Sequence, residues 1–199
     1  MNSLMNYNRL LVFQHKAWAE AFTGIEVKNS YTVANEQGDP IYKALEEGGS
    51  FFTRMFLRST RPFTINIYDM QDKLVLKLKR TFKWIFHHLD VLTPEGALIG
   101  SVDWRFKFVV KRYTVSDASG NELFELKSPL TKPWTLMIIS PNYGEQGMIQ
   151  KKWSGLGKEL FTKADNFMLE LPANWEKEKR ALLLGAVFLI DFVHFEKKN

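Results

Sequence analysis

The sequence contains no cysteine. This absence excludes disulfide bonds, a thiol nucleophile and a thiolate metal site, and it fits a reducing compartment. A serine nucleophile elbow, a phosphate-cradling loop and a dinucleotide-binding fingerprint are also absent. The four histidines are His15, His87, His88 and His194, and adjacent His87 and His88 would point to opposite faces of a strand. The sequence therefore predicts neither a conventional enzyme nor a histidine metal site.

The sequence also lacks a long hydrophobic run. Its most apolar stretch, Ala181 to Ile190, has ten residues before Asp191 interrupts it, whereas a membrane-spanning helix needs roughly 20. Its apolar side chains would surround a helix on every side, so the rest of the chain must cover it. We predict an enclosed core helix over residues 175–195, with Asp191 near the mouth beside a hydrogen-bonding or basic partner. The core residues expected on this helix are Leu183, Val187, Phe188, Ile190 and Asp191.

The N-terminal stretch does not have the pattern of a secretory signal. Gln14, His15 and Lys16 break its apolar run, and no small-residue cleavage site follows. Leu10, Leu11, Trp18, Ala21 and Phe22 instead favour an amphipathic helix. We predict this helix over residues 1–23, packed on a β domain over residues 24–199. We also expect the protein to be cytoplasmic and to associate peripherally with membranes.

Between Gly24 and Pro172 the pattern is one of short alternating segments. INIYDMQDKLVLKLKR, FVVKRYTVSDASGNELFELK and TVANEQGDPIYKAL each read as a hairpin, and further strands are predicted at 98–105, 135–140, 148–153 and 166–171. Many short strands at hairpin spacing indicate a sandwich or barrel. A closed barrel would bury the apolar helix on all sides.

An up-and-down barrel would sort the loops into two sets. One end would carry the tight turns and their acids, which are Glu36, Asp39, Asp69, Asp72, Glu95, Asp117, Glu122 and Glu145, with Lys73 as an exception. The other end would be basic and aromatic, as anionic bilayer surfaces favour. The predicted lipid-binding residues there are Phe51, Phe52, Arg54, Phe56, Arg58, Arg61, Phe82, Lys83, Trp84, Phe86, Lys132 and Trp134. The net charge of +5 agrees with an anionic partner.

Several stretches resemble the phospholipid scramblase family. They are LLVFQHKAWAEAFTGIEVKNSY, VKNSYTVANEQGDPIY, STRPFTINIYD and the C-terminal combination ADNF…LP…FLIDF…FE, which occur in the family's order. The resemblance implies the fold shared with tubby-like and LURP-one-related proteins, in which about twelve antiparallel strands close around a central apolar helix. It also implies ATP-independent movement of phospholipid between leaflets.

The chain departs from the family pattern in two respects. The family's calcium segment maps onto KADNFMLELPAN, where Lys163 and Asn174 replace acidic residues and Asp165 remains. Calcium needs six to eight oxygen ligands, so Asp165 is a candidate calcium ligand that the resemblance implies, but we do not expect a tight calcium site. We expect no other cofactor. The family's lipidated cysteine runs fall where this chain has SFFTRMFLRST, FKWIFHH and LTKPWT, so we predict that aromatic side chains anchor it instead.

Three functions stay open at this point. The first is a scramblase-like protein that binds anionic phospholipid and moves lipid between leaflets, with oligomers, barrel opening or local bilayer disturbance as the route. The second is a non-catalytic phospholipid-binding or adaptor module of the tubby-like type. The third is nucleic-acid binding, because basic and aromatic side chains also suit single strands.

Overall fold

The structure is a computed structural model that describes residues 4, 6–15, 30–47, 62–81, 87–106, 110–152, 166–172 and 174–195. Its main feature is a closed barrel of twelve antiparallel strands, arranged in chain order with β1 paired to both β2 and β12. The strands are β1 (Arg9–His15), β2 (Ser30–Ala34), β3 (Pro40–Glu47), β4 (Phe63–Asp69), β5 (Leu74–Arg80), β6 (His88–Leu92), β7 (Leu98–Arg105), β8 (Arg112–Asp117), β9 (Glu122–Lys127), β10 (Thr135–Ser140), β11 (Gly144–Lys152) and β12 (Asn166–Glu170). The predicted fold is confirmed.

The strands form because their apolar side chains alternate with polar ones. In β5, Leu76 and Leu78 are buried, whereas Lys77 is half-buried and Lys79 is exposed. In strands with this pattern, one face therefore lines the core while the other meets solvent. The interior is a single apolar cluster that includes Val33, Ile65 and Phe188.

Four hairpin turns follow one five-residue plan, at 35–39, 69–73, 93–97 and 117–121. In each turn, a side-chain oxygen of the first residue accepts the backbone N–H of the fifth, as Asp117 does from Asn121 at 2.9 Å. The fourth residue has a positive φ, which glycine adopts at Gly120 (85°) and which Asp72 adopts at 60°. Each turn adds a register shift to its hairpin.

These four turns and the turn at 141–143 all lie at one end of the barrel, which we call the turn end. The opposite end, where the described stretches break between β3 and β4 and between β5 and β6, we call the basic end. No crossover connection interrupts the strand order, so the predicted sorting of the loops into two sets holds for the described strands.

The C-terminal helix α1 (Lys177–His194) enters the barrel from the turn end and finishes at the basic end. Every residue from Arg180 to Phe192 is buried. Gly185 faces the barrel wall closely, because a Cβ there would lie 2.8 Å from Val91 Cγ2 and 3.4 Å from Leu78 Cδ2. The helix predicted over residues 175–195 is thus present, and the barrel encloses it.

The N-terminal helix predicted over residues 1–23 is wrong for Arg9–His15, which form strand β1. Leu10, Val12 and Gln14 point inward at period two, and β1 pairs with both β2 and β12. A helix there would have left both neighbouring strands without a partner. Residues 16–23 lie outside the described residues.

Candidate membrane-binding site

The two barrel ends differ in charge. At the turn end, the residues that begin or end strands include four acids, Asp69, Asp117, Glu122 and Glu170, and one basic residue, Arg9. At the basic end they include five basic residues, Arg80, Arg105, Arg112, Lys127 and Lys152, and one acid, Glu47. Glu46 also lies at the basic end and is buried. The described strand ends therefore carry the charge asymmetry that the sequence predicted.

Asp69 and Asp117 have structural roles at the turn end. Asp69 accepts the backbone N–H groups of Gln71 and Lys73, and Asp117 accepts those of Ser119 and Asn121. These bonds lower the pKa of Asp117, with the hydrogen bonds from Asn121 as the largest cause. Acidic residues at this end thus build the turns that set hairpin register.

Two of the predicted lipid-binding residues lie in the described part of the chain, and both are exposed at the basic end. They are Lys132 and Trp134, and the Trp134 side chain is 38% exposed. The other predicted residues lie outside the described residues: Phe51, Phe52, Arg54, Phe56, Arg58, Arg61, Phe82, Lys83, Trp84 and Phe86. Phe106 and Leu130 add exposed apolar surface at the same end, at 52% and 68%.

Trp134 belongs to a group of four side chains that we call the lysine–aromatic cluster, formed by Lys111, Trp134, Lys151 and Phe195. Lys111 Nζ lies 3.8 Å from the Trp134 ring centre and 5.5 Å from that of Phe195. Lys151 Nζ lies 3.5 Å from the Phe195 ring centre and 6.0 Å from that of Trp134. The two rings are 5.1 Å apart. Both ammonium groups are therefore held over the same two aromatic faces.

The backbone fixes this cluster from three elements. Lys111 precedes β8, and its Nζ donates to the Pro133 carbonyl oxygen at 2.6 Å. The Lys151 N–H on β11 donates to the Trp134 carbonyl oxygen at 2.9 Å. Phe195 follows α1, and its N–H donates to the Asp191 carbonyl oxygen at 2.8 Å. The end of the helix thus brings one of the two rings to the lysines.

The two lysines repel each other. Partial burial and the charge of Lys151 lower the pKa of Lys111 to about 8. Burial, with the charges of Lys111 and His87, lowers the pKa of His194 to about 3. At neutral pH, His194 is therefore uncharged and Lys111 is mostly protonated.

Beneath this cluster lies an inner layer of polar side chains. Arg80 Nη2 is hydrogen-bonded to His87 Nδ1, and burial with the Arg80 charge lowers the pKa of His87 to about 4. The Tyr113 and His194 rings are 6.1 Å apart. Tyr113 Oη and His194 Nε2 have no hydrogen-bond partner among the described residues. His88 instead forms hydrogen bonds with Asp90 and Asp103 on the outer wall of the barrel. His87 and His88 therefore face opposite sides, as the sequence predicted.

The scramblase family profile matches residues 1–197. The chain belongs to the scramblase family. It is 30% identical to mouse phospholipid scramblase 1 over 98% of this chain and 63% of that protein. It is 29% identical to bovine phospholipid scramblase 2, over 97% of this chain and 70% of that protein. It is 27% identical to human phospholipid scramblase family member 5, over 97% of this chain and 76% of that protein. No solved structure matches significantly.

This scramblase-family chain therefore spans a little under two thirds of the length of the mouse relative. Within its described part, no helix combines the length and apolar character needed to cross a bilayer.

Asp165, the residue left in the family's calcium segment, lies outside the described residues. Glu170, which is nearby in sequence, accepts a hydrogen bond from Arg9 Nη2 at 2.8 Å. Among the described residues, no group of three or more histidine and acidic side chains is placed to hold a metal ion.

Sequence reasoning missed Lys111, Lys151 and Phe195 as members of the candidate site. They come from before β8, from β11 and from beyond α1, so no local motif joins them. No local signal in the sequence could have found them, because Lys111 lies before β8 and Phe195 lies after α1.

Proposed function

We propose that this scramblase-family chain binds anionic phospholipid membranes through its basic end and mediates ATP-independent movement of phospholipid between leaflets. The observation that carries the proposal is the lysine–aromatic cluster, with two ammonium groups over Trp134 and Phe195. Aromatic rings beside cations suit the interface between lipid headgroups and hydrocarbon. Each basic side chain near an anionic surface contributes about 1 kcal/mol.

The exposed apolar side chains at the same end supply the second part of the interaction. Phe106, Leu130 and Trp134 are well placed to enter the headgroup region while the lysines contact phosphates. Such a surface gives peripheral association, which is strongest when apolar burial and charge act together.

Lipid movement needs a route other than the helix. Because α1 is buried from Arg180 to Phe192, it offers headgroups no path while the barrel stays closed. We infer that lipid moves at the rim of the basic end, where inserted rings would disturb the bilayer, or through oligomers or an opened barrel.

Vesicle flotation tests the binding. We expect wild-type protein to float with vesicles of phosphatidylserine and phosphatidylcholine, and not with phosphatidylcholine alone. The double variant Lys111→Gln/Lys151→Gln should bind about tenfold or more weakly. Lys177→Gln/Lys179→Gln removes the same charge from exposed or half-buried positions at the turn end and should bind as wild type does. Equal loss in both variants would show that net charge, not the basic end, governs binding.

Dithionite quenching of fluorescent lipid in proteoliposomes tests the movement. We expect quenching beyond the outer leaflet with wild-type protein and no added ATP. Calcium and chelator should give the same rate, because the calcium segment has lost acidic positions. Binding without any inner-leaflet quenching would leave only the binding part of the proposal.

The enclosed helix favours a second candidate, a non-catalytic lipid-binding module of the tubby-like type. The dithionite experiment separates the two, since the module would bind without moving lipid. A salt-dependent titration with single-stranded nucleic acid tests the third function, for which tight, steeply salt-dependent binding would be the signature.

A further inference from the structure

We propose that the lysine–aromatic cluster is a recognition site for a phosphate monoester, so that the protein prefers lipids whose headgroup ends in a monoester over phosphodiester headgroups of equal total charge. This inference rests on the proposed membrane binding and adds a substrate class to it. The chemistry would be shared by phosphatidic acid in a membrane and by a free phosphate monoester in solution.

The first argument is geometric. Both ammonium groups lie within 6.0 Å of the same two ring centres, those of Trp134 and Phe195. Both ammonium groups therefore border the same pair of rings, and we place the phosphate on this shared surface, in contact with both lysines. Scattered single charges on a surface can be bound by lysines that lie apart. A single doubly charged group is bound best by two cations held side by side.

The second argument concerns the charges that surround this point. Burial is the main cause of the lowered pKa of Lys111, and repulsion by the charge of Lys151 lowers it further. A phosphate monoester carries a charge of roughly −1.5 to −2 at neutral pH. A diester carries a single charge, so it relieves less of the repulsion between the two lysines.

The third argument is that the cluster is preformed. The Lys111 ammonium is fixed by the Pro133 carbonyl oxygen at 2.6 Å and by the Trp134 face, and it retains further N–H bonds for a ligand. Fixed donors lose less side-chain entropy on binding than free lysines would. Lys127 and Lys132, which are exposed at the same end, lack contacts of this kind among the described residues.

The test compares vesicles of phosphatidic acid and of phosphatidylglycerol in phosphatidylcholine, matched for total negative charge. We expect wild-type protein to bind the phosphatidic acid vesicles on the order of tenfold more tightly. Lys111→Gln and Lys151→Gln should each bring this ratio close to one. The control Lys127→Gln/Lys132→Gln should weaken binding to both vesicles while keeping the ratio.

A soluble arm identifies the source of the phosphate and does not depend on membrane binding. Glycerol 3-phosphate should change the fluorescence of wild-type protein, whereas dimethyl phosphate at equal ionic strength should not. Loss of that change in Trp134→Phe would assign it to the cluster. A response to glycerol 3-phosphate without a vesicle preference would support the site with a soluble monoester as its ligand.

Equal binding to the two charge-matched vesicles, together with no response to glycerol 3-phosphate, would overturn the inference. That result would leave the proposed membrane binding intact. Failure to bind any anionic vesicle, beside a retained response to glycerol 3-phosphate, would instead overturn the proposed function and support the monoester site.

Discussion

Tyr31 Oη donates a hydrogen bond of 2.8 Å to Asp191 Oδ2, which joins β2 to the last turns of α1. Gln14 Nε2 on β1 lies 3.3 Å from the same hydroxyl. The Asp191 side chain is 2% exposed, so its carboxylate depends on protein donors in place of water. The sequence predicted a hydrogen-bonding or basic partner for Asp191 near the barrel mouth, and Tyr31 is one hydrogen-bonding partner.

Removing this donor should destabilise the protein. We expect Tyr31→Phe to lower the free energy of unfolding by about 1–3 kcal/mol, because it removes a donor from a buried carboxylate. The measurement is urea unfolding followed by circular dichroism. Tyr113→Phe is the matched control, since Tyr113 Oη is buried without a partner among the described residues. It should leave stability unchanged or raise it by up to about 1 kcal/mol. Similar losses in both variants would contradict this account.

Replacing Arg180 should destabilise the protein more than replacing Arg9, the other arginine described at the turn end. Its fully buried guanidinium donates to the carbonyl oxygens of Leu4, Tyr7, Pro172 and Trp175, at 2.6–3.0 Å. These bonds hold the start of α1 to the chain segments that lead into β1 and out of β12.

We expect Arg180→Met to lower the free energy of unfolding by about 3 kcal/mol or more, because four buried or part-buried carbonyl groups would lose their donor at once. Thermal unfolding measures this. Arg9→Met, which breaks a part-exposed ion pair with Glu170, should cost less than about 1 kcal/mol. An Arg180→Met variant as stable as Arg9→Met would show that water replaces the guanidinium without cost.

Gly185 and Val91 should be energetically coupled across the helix–barrel contact. A Cβ at position 185 would lie 2.8 Å from Val91 Cγ2, closer than packed atoms tolerate. In Gly185→Ala, helix propensity gains about 1 kcal/mol, and overpacking costs about 1–3 kcal/mol. The single variant alone is therefore a poor test.

A double-mutant cycle cancels the propensity gain. We expect Val91→Ala to cost at least about 1 kcal/mol less in the Gly185→Ala background than in the wild type, because it removes the clashing methyl group. Additive effects of the two substitutions, measured by urea unfolding, would mean that the barrel wall moves away freely.

Membrane binding should weaken as Lys111 loses its proton. Its pKa is lowered to about 8 by burial and by Lys151, so its positive charge falls as the pH rises through that value. Among the described residues, His194 also faces Lys111, and it is already neutral at neutral pH because its pKa is about 3. We expect the fraction of protein that floats with anionic vesicles to fall as the pH is raised from about 7 to about 9.

Lys111→Arg supplies the control, because arginine stays charged throughout that range. The variant should bind at the higher pH about as well as at neutral pH. A wild-type pH profile that stays flat would contradict the assigned role of Lys111.

Much of the barrel followed from local patterns in the sequence. β7 and β10 were predicted at 98–105 and 135–140, the bounds that the structure has, because turn residues and period-two alternation mark them on both sides. The apolar run before Asp191 could be assigned to the interior because a helix apolar on every side needs a surrounding wall. Residues 9–15 were misread because a short apolar run carries little periodicity, and only pairing with β2 and β12 decides between strand and helix.

By itself the sequence determined the hairpins and the apolar helix that needs a surrounding wall, since each depends on neighbours within a few residues. The predicted separation of acidic turns from basic, aromatic loops also needed a barrel without crossover connections. Only the tertiary structure decided that Lys111, Lys151, Trp134 and Phe195 meet, and that Tyr31 reaches Asp191. Those contacts depend on barrel closure and on where the helix ends inside it. Both are set by pairing and packing between residues far apart in the chain, which no local pattern records.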